Sequence, residues 1–279
     1  MASTQELVRR LQSRIALRLG LPRPWVPGRL LGHDLVLRDG TIPDKLDYDD
    51  AWVHACAQHA EVMFDVGANV GHAALMALLC QNIQQVLLVE ANWEALSVAA
   101  ENLIRNQLSA RARFIGAFAA ETSDESIDFW TVGTGAAGSM YASHASSAAR
   151  AGSVRRVSTI TLDGLSNNFE VVPDLVKIDV EGAEIKVLRG STHIASNRAT
   201  RFVVEMHSMA ELTMASNAAQ VLEWTKSVGY SAWYLSGAAL LENPETIQHR
   251  GRCHLLLQPR DWSYPEWLAK IPQSAALPA

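Results

Sequence analysis

Two carboxylates end apolar segments on either side of a glycine-rich turn. Asp65 ends the run VMFD and is followed by Gly67 and Gly71, and Glu90 ends the run VLLVE twenty-three positions after Gly67. An acid at the end of the second strand can accept hydrogen bonds from ribose hydroxyls. Glycine in the turn lets a ligand approach the backbone closely. The spacing therefore predicts a site for an adenosine-type cofactor.

The turn differs from the dinucleotide fingerprint GxGxxG because its two glycines are four positions apart. Asp65 stands immediately before the turn, where it would repel a pyrophosphate. A ligand with an amine fits better, since Asp65 could receive that group. An ordinary strand-turn-helix connection is the plainer alternative for this turn taken alone.

A second set of polar side chains is predicted at the ends of two later strands. In LVKIDVEG, alternation places Lys177 and Asp179 on one face, and Glu181 follows the strand. In FVVEMH, Glu205 and His207 share a face. Because ligands bind outside the carboxyl ends of parallel strands, we expect these groups to line a substrate site.

Each of these residues also has a structural interpretation. Lys177 could pair with a neighbouring acid inside the sheet, and His207 could be a hydrogen-bonded structural residue. Glu184 could be a first-turn carboxylate favoured by the helix dipole. Asp163 is expected to cap the short helix that follows it.

The elements that position these groups alternate along the chain. Apolar strands separated by helices indicate parallel pairing with right-handed crossovers, and hence a doubly wound α/β fold. Strands are predicted at 61–66, 86–90, 111–118, 175–180 and 201–207, and helices at 45–60, 71–81, 93–106, from 183 and at 217–228. Two late strands, at 230–235 and 254–259, are expected to form an antiparallel end of the sheet.

Residues 120–160 interrupt this pattern. Strands are predicted near 127–132 and 155–162, with a loop of small residues at 132–153 between them. Tyr141 and His144 in that loop could touch substrate or be solvated. A helix is expected at 4–19, followed by an irregular connection in GLPRPWVPGRL. The predicted organisation is an N-terminal helical or irregular extension (1–44), one catalytic domain (45–260) and a C-terminal tail (261–279).

The composition argues against some classes of binding partner and favours one cellular compartment. The 24 basic and 29 acidic residues give a net charge of −5, which disfavours nucleic acid. The three cysteines lack metal-ligand spacing and are expected to be buried free thiols in a reducing compartment. No apolar run has the length of a membrane span and no signal sequence is evident, so a cytoplasmic location is expected. A homodimer stays open.

The segments FDVGANVG, VEAN, TLDGL and especially VKIDVEGAE resemble the FkbM family of S-adenosylmethionine-dependent methyltransferases. The resemblance runs from about Glu61 to His207. It implies a class I, Rossmann-like methyltransferase fold and S-adenosylmethionine as the cofactor and methyl donor. The residues expected around that cofactor are Asp65, Gly67, Ala68, Asn69, Gly71, Glu90, Asn92, Ala117 and Ser139.

The resemblance also implies transfer of a methyl group to a hydroxyl of a sugar, glycan or natural-product small molecule. His207 is the first choice for the general base because of the intrinsic pKa of imidazole. Asp179 or Glu181 could orient the acceptor or serve as the base instead, and Glu205 and Lys177 complete the catalytic set. Carboxylates there could bind a divalent ion, but the spacing does not select one, and no metal is predicted.

Two other classes of function were weighed. An NAD-dependent oxidoreductase would use the same kind of fold, but the third glycine and a recognisable hydride-transfer pair are missing from the sequence. A non-catalytic S-adenosylmethionine-binding module is disfavoured by the intact VEAN and VKIDVEGAE segments.

Overall fold

The computed structural model describes residues 22–43, 49–133, 138–141 and 145–278. The strands are β1 Trp25–Leu30, β2 His33–Arg38, β3 Val62–Val66, β4 Gln85–Val89, β5 Ala112–Ile115, β6 Phe118–Ala119, β7 Ser126–Trp130, β8 Val154–Ile160, β9 Leu175–Ile178, β10 Arg201–His207, β11 Tyr230–Tyr234, β12 Ala239–Leu240 and β13 Arg252–Pro259. The α-helices are α1 Asp50–Ala57, α2 His72–Leu79, α3 Trp93–Arg105, α4 Ser146–Arg150, α5 Leu162–Phe169, α6 Glu184–Arg189, α7 Thr192–Ser196, α8 Met214–Val228 and α9 Glu266–Ala269. The helix predicted at 4–19 lies outside the described residues.

The central sheet has the strand order β5-β4-β3-β9-β10-β13-β11-β12. The five strands from β5 to β10 are parallel, and β13 and β11 continue the sheet in antiparallel pairing. The chain runs outward from β3 to β5 and then returns to the other side of β3 with β9. This reversal is the topological switch point at which doubly wound sheets bind ligands. The predicted Rossmann-like sheet with an antiparallel end is confirmed.

Apolar side chains cover both faces of the sheet. On one face, helices α1 to α3 bury residues such as Trp52 and Leu75 against Met63 and Leu175. On the other, α5 to α8 pack against strand residues such as Phe202. Burying both faces explains why the parallel strands read as continuous apolar runs. Polar groups on these strands are therefore confined mainly to the strand ends.

A second sheet of three strands, in the order β6-β8-β7, lies in the interrupted part of the chain. The strands predicted near 127–132 and 155–162 are confirmed as β7 and β8. The loop predicted at 132–153 is partly wrong, because it contains helix α4. Phe118 of β6 and Phe129 of β7 pack edge to face, with their ring centroids 5.9 Å apart. Ala183, which follows β9, belongs to the same apolar cluster, so the second sheet packs beside the end of the main sheet.

The irregular connection predicted before residue 31 is also partly wrong. Strands β1 and β2 form an antiparallel hairpin through a turn at Leu31 and Gly32, both of which have positive φ. Two such residues give the turn the twist that a tight hairpin requires. Pro27 pairs with Val36 in a two-stranded ribbon, where an edge position tolerates the missing N–H.

The hairpin is attached to helix α3 by buried polar contacts. The Oδ1 atom of Asn102 accepts a hydrogen bond from the Arg38 N–H at 2.8 Å, and its Nδ2 donates to Thr41 Oγ1 at 2.8 Å. No helix among the described residues is both long and apolar enough to cross a membrane.

Candidate active site

The turn after β3 is held tightly between the two neighbouring strands. Gly67 has φ +76°, and a Cβ atom there would collide with the carbonyl group of Asp179. Its N–H donates to Val89 O at 2.9 Å. Only glycine satisfies both the positive φ and the close approach of β9. The turn is therefore fixed in place before any ligand arrives.

A cleft with about 600 Å³ of free space opens at this turn. Its walls include Gly67 and Asn69 from the turn, Glu90 at the end of β4, and Ala117 after β5. These four residues come from three adjacent parallel strands at the switch point. Ala117 and Phe118 face the cleft from the side of the second sheet. We call this space the cofactor cleft.

Glu90 is 9 % exposed and its carboxylate is fixed by backbone donors. Oε2 accepts from Asn69 N at 2.8 Å, and Oε1 accepts from Asn92 N at 2.7 Å. Burial raises the pKa of Glu90, and these two hydrogen bonds act in the opposite direction. A carboxylate has about four acceptor positions, so two remain for hydroxyl groups of a ligand.

Asn92 caps helix α3 and also borders the cleft. Its Oδ1 accepts from Glu94 N at 3.1 Å, while its Nδ2 donates to Thr131 Oγ1 at 2.9 Å and to Gly133 O at 2.8 Å. The Asn92 side chain thus connects the segment after β7 to the end of β4 by hydrogen bonds, and it forms part of the cleft wall.

Three other residues expected around the cofactor do not line this cleft. Gly71 begins helix α2 with φ +85°, and a Cβ there would press on Ala99 of helix α3. Ser139 is fully buried and donates to Glu181 O at 3.0 Å, so it anchors the Glu181 turn. Ala68 faces a different cavity, described next.

A second cavity with about 780 Å³ of free space lies on the α1 and α2 side of the sheet. It shares Gly67, Asn69 and Asp179 with the cofactor cleft, so the two spaces meet at these residues. Lys177 and Glu205 also line it. We call it the acceptor cavity. Its remaining wall comes from the segment after β2 and from helices α1 and α2.

Lys177 is buried between two acids. Its Nζ lies 3.2 Å from Asp179 Oδ2 and 3.8 Å from Asp65 Oδ1. Burial alone would lower the pKa of Lys177, but the charges of Asp179 and Asp65 raise it, so the ammonium stays protonated. The structural interpretation of Lys177 as a partner of neighbouring acids is confirmed.

Asp65 has no exposed surface and lines neither cavity. Neither of its oxygens has a well-formed hydrogen bond among the described residues. Burial raises its pKa, while the charge of Lys177 lowers it. Asp65 lies beside Lys177 at the end of β3, and its contact with a ligand amine stays a prediction.

His207 is enclosed by carboxylates. Its Nδ1 lies 2.8 Å from Glu184 Oε1, and its Nε2 lies 3.3 Å from Glu181 Oε2 and 3.6 Å from Glu205 Oε1. Burial alone would lower its pKa, but Glu184 and the other acids raise the pKa to about 9. His207 also lines neither cavity.

The raised pKa favours the protonated form of this imidazole, and that form cannot accept a proton. The role of His207 as the general base stays a prediction. Glu184 has no exposed surface and also accepts from Asn217 Nδ2 at 3.0 Å. It is therefore more than a first-turn carboxylate, because it orients the imidazole.

Two residues of this region are not among the candidates from the sequence. They are His254 of β13 and Asp49, which lies just before helix α1. His254 Nε2 lies 3.4 Å from Glu205 Oε2 and 3.2 Å from Asp49 Oδ2. Burial would lower the pKa of His254, but these acids raise it to about 9. The signal was a single imidazole in an otherwise apolar strand, RCHLLLQP. Arg252 Nη1 forms an ion pair with Glu205 at 2.8 Å.

Asp163 does not cap its own helix. Thr161 is the N-cap of α5 and accepts from Gly164 N, whereas Asp163 accepts from His193 N and Ile194 N, each at 2.9 Å. It thus satisfies the first turn of α7, a neighbour in space. Of the two loop residues considered, Tyr141 donates its backbone N–H to Ser139 Oγ at 3.0 Å, and His144 lies outside the described residues.

The strand order and the cleft at the switch point define a Rossmann-like fold. The Methyltransferase FkbM domain matches residues 65–232 of this chain, from the acid before the glycine turn into β11. The match spans more than half of the sequence. The chain belongs to the FkbM methyltransferase family. No curated protein matches it at a significant level.

Several solved structures are similar to the chain at low identity. The methyltransferase FkbM from Methylobacillus flagellatus KT is 14 % identical with a TM-score of 0.45, over 71 % of this chain and 43 % of that one. A SAM-dependent methyltransferase from Agrobacterium tumefaciens is 14 % identical with a TM-score of 0.48, over 85 % and 70 %. M. jannaschii TYW2 in complex with AdoMet is 12 % identical with a TM-score of 0.45, over 84 % of each chain. The chain therefore spans less than half of the first of these proteins.

Proposed function

We propose that this chain binds S-adenosylmethionine and transfers its methyl group to a hydroxyl of a sugar, glycan or natural-product small molecule. The observation that carries the proposal is the meeting of two cavities at the switch point. The cofactor cleft contains a fixed carboxylate, Glu90, and the acceptor cavity contains Lys177 and Glu205. Asp179 borders both.

The cofactor cleft fits an adenosine group. It is a concave space with both polar and apolar walls, as small-molecule sites usually are. Glu90 retains acceptor positions for ribose hydroxyls, and Ala117 and Phe118 offer apolar surface to a base. Asn69 N is already bonded to Glu90, so the turn and the ribose acid form one rigid unit.

The junction fits the positively charged end of the cofactor. Asp179 and Glu205 face the acceptor cavity, and Asp65 lies buried behind Lys177. Carboxylates around a cationic group stabilise it electrostatically. The negative charge of Asp65 attracts the Lys177 ammonium, and that ammonium also lies 3.5 Å from Gly67 O. Asp65 thus acts on the glycine turn indirectly, through Lys177.

When bound, S-adenosylmethionine would supply the methyl group of its sulfonium sulfur to the acceptor oxygen and leave as the thioether S-adenosylhomocysteine. Asp179 is placed to hold the acceptor hydroxyl at the junction and to accept its proton, because its side chain is 28 % exposed and borders both cavities. Positioning of the two reactants contributes most of the rate, and a base adds about 10²–10⁴-fold. His207 and Glu205 hold the neighbouring charges in place.

Calorimetric titration tests the cofactor. We expect heat of binding with S-adenosylhomocysteine and none with NAD, which would exclude the oxidoreductase alternative. Binding of NAD alone would overturn the proposal.

Radiolabelled S-adenosylmethionine tests the reaction when it is offered with a panel of monosaccharides, oligosaccharides and polyketide lactones. Label in an ether product that resists mild base supports O-methylation. Label on nitrogen or carbon would refute the choice of acceptor atom. Cofactor binding without transfer to any acceptor would favour a non-catalytic binding module.

A further inference from the structure

The ends of β9 and β10 bring three possible metal-ligand atoms together. One oxygen each of Asp179 and Glu205 and one ring nitrogen of His207 lie within 4.8 Å of one another. We propose that Asp179, Glu205 and His207 bind one divalent first-row transition ion, such as Mn²⁺, at the edge of the acceptor cavity.

The orientation of His207 supports this assignment. Its Nδ1 is bonded to Glu184, a carboxylate without exposed surface, and that bond directs Nε2 toward the carboxylates of Glu181, Glu205 and Asp179. An imidazole that ligates a metal usually has its other ring nitrogen bonded to a carboxylate in this way. Glu184 is itself held by Asn217 and by the N–H of Gly182, at 3.0 and 2.9 Å.

Glu205 provides a second, independent observation. Its side chain is 5 % exposed, and Oε1 points toward His207 without a well-formed hydrogen bond among the described residues. The Arg252 guanidinium approaches the same oxygen as an ion pair at 2.8 Å. Carboxylates that ligate metals are commonly supported by such outer contacts, and the second lone pair of Oε1 remains for an ion.

The distances suit a small ion. Bonds of about 2.1 Å place adjacent ligand atoms about 3 Å apart and opposite ones about 4.2 Å apart in octahedral geometry. His207 Nε2 lies 3.6 Å from Glu205 Oε1 and 4.0 Å from Asp179 Oδ1. Small side-chain rotations bring these atoms onto one centre. One imidazole and two carboxylates favour Mn²⁺, Fe²⁺ or Zn²⁺ over Ca²⁺.

The neighbouring group of Asp49, Glu205 and His254 is less suitable. The side chain of His254 is 1 % exposed and that of Asp49 is 10 % exposed, and neither opens to the cofactor cleft. Asp49 lines only the acceptor cavity, whereas Asp179 is 28 % exposed and borders both cavities, so the His207 group lies nearer to their junction. If the proposed function holds, a bound ion would lower the pKa of the acceptor hydroxyl.

Mn²⁺ binding tests the site directly. Protein dialysed against EDTA is titrated with Mn²⁺, and bound and free ion are measured by electron paramagnetic resonance and calorimetry. We expect one saturable site per chain. His207→Gln should abolish it, and Glu184→Gln should weaken it about 10–100-fold by releasing the imidazole.

His254→Gln is the matched control, because His254 is also buried and also contacts Glu205. It should keep the Mn²⁺ site. If His254→Gln removes binding and His207→Gln does not, or if the wild type shows no saturable site, the proposal is overturned. Should the buried variants fail to fold, Asp179→Asn tests the site instead, because Asp179 is partly exposed. Binding of S-adenosylhomocysteine, measured without metal, reports separately on the proposed function.

Discussion

Single side chains at the cofactor cleft are fixed by the backbone rather than by one another. Glu90 accepts from two main-chain N–H groups, and the glycine turn is fixed by Val89 and Asp179. Such a site is organised before ligand binding, so little ordering free energy is lost when the ligand enters. Changing one atom of Glu90 should therefore be visible in affinity.

Glu90→Gln replaces one carboxylate oxygen by an amide NH2 group, which would face a backbone N–H so that two donors meet. We expect the affinity for S-adenosylhomocysteine to fall about 10–100-fold, since hydrogen bonds to a charged group contribute about 1.5–3 kcal/mol. Calorimetry measures the change. Glu94→Gln, two positions beyond the cap residue Asn92 and paired with Arg155, is the control and should leave affinity unchanged. Equal affinity of Glu90→Gln and wild type would reject the role of Glu90.

Lys177→Met removes the cation beside Asp65. Breaking one side of a buried ion pair costs about 3–5 kcal/mol because the other charge is left unpaired. Urea unfolding should show that loss. Lys186→Met is the control: Lys186 pairs with Glu121 at 3.5 Å with both side chains over 30 % exposed, and such pairs contribute about 0–1 kcal/mol. If Lys177→Met and Lys186→Met lower the free energy of unfolding by the same amount, the pairing of Lys177 with Asp65 contributes no more than an exposed ion pair.

At the scale of the elements, the parallel strands could be predicted because each is an apolar run followed by a polar end. The positions of β3, β4, β9 and β10 came from this local pattern, as did the expectation that Asp179 and His207 lie at adjacent ends. Asp49 and His254 could not be found in this way. They are far apart in sequence and meet only because β13 inserts next to β10.

The hairpin β1–β2 was missed for a related reason. Its prolines and glycines indicate an irregular segment, but the alternation of Leu35 and Leu37 with exposed neighbours is a strand signal. Tertiary contacts fix the hairpin: the backbone of β2 bonds to Asn102 of α3 and to Asn106, the residue that follows this helix.

Those two asparagines give a matched test of the hairpin. Asn102 is fully buried, so Asn102→Ala leaves the Arg38 N–H unsatisfied and should cost about 1–3 kcal/mol. Asn106 makes similar bonds to Val36 in an exposed setting, so Asn106→Ala should cost less than about 1 kcal/mol. Chemical denaturation measures both. A larger loss for Asn106→Ala would contradict attachment through the buried residue.

For the whole molecule, alternation of strands and helices was enough to predict the doubly wound sheet, but not how its charges are distributed. Acids cluster on one side of the switch point, and their charges are opposed there by Lys177, Arg252 and two imidazoles. No local pattern reveals such a balance, because its members come from separate strands and helices. The prediction of buried free thiols, by contrast, follows from composition around each cysteine and is confirmed.

The burial of all three cysteines makes thiol labelling a measure of global stability. Burial raises the pKa of Cys56 and of Cys253 to about 12, and it also raises that of Cys80. Since the thiolate is the reactive form, the native protein should react with Ellman's reagent only through opening of the fold, and denatured protein should release three thiols per chain. Lys177→Met, destabilised by about 3 kcal/mol, should label about 100-fold faster, whereas Lys186→Met should match the wild type. Rapid labelling of native wild-type protein would show that at least one of these thiols is accessible without unfolding.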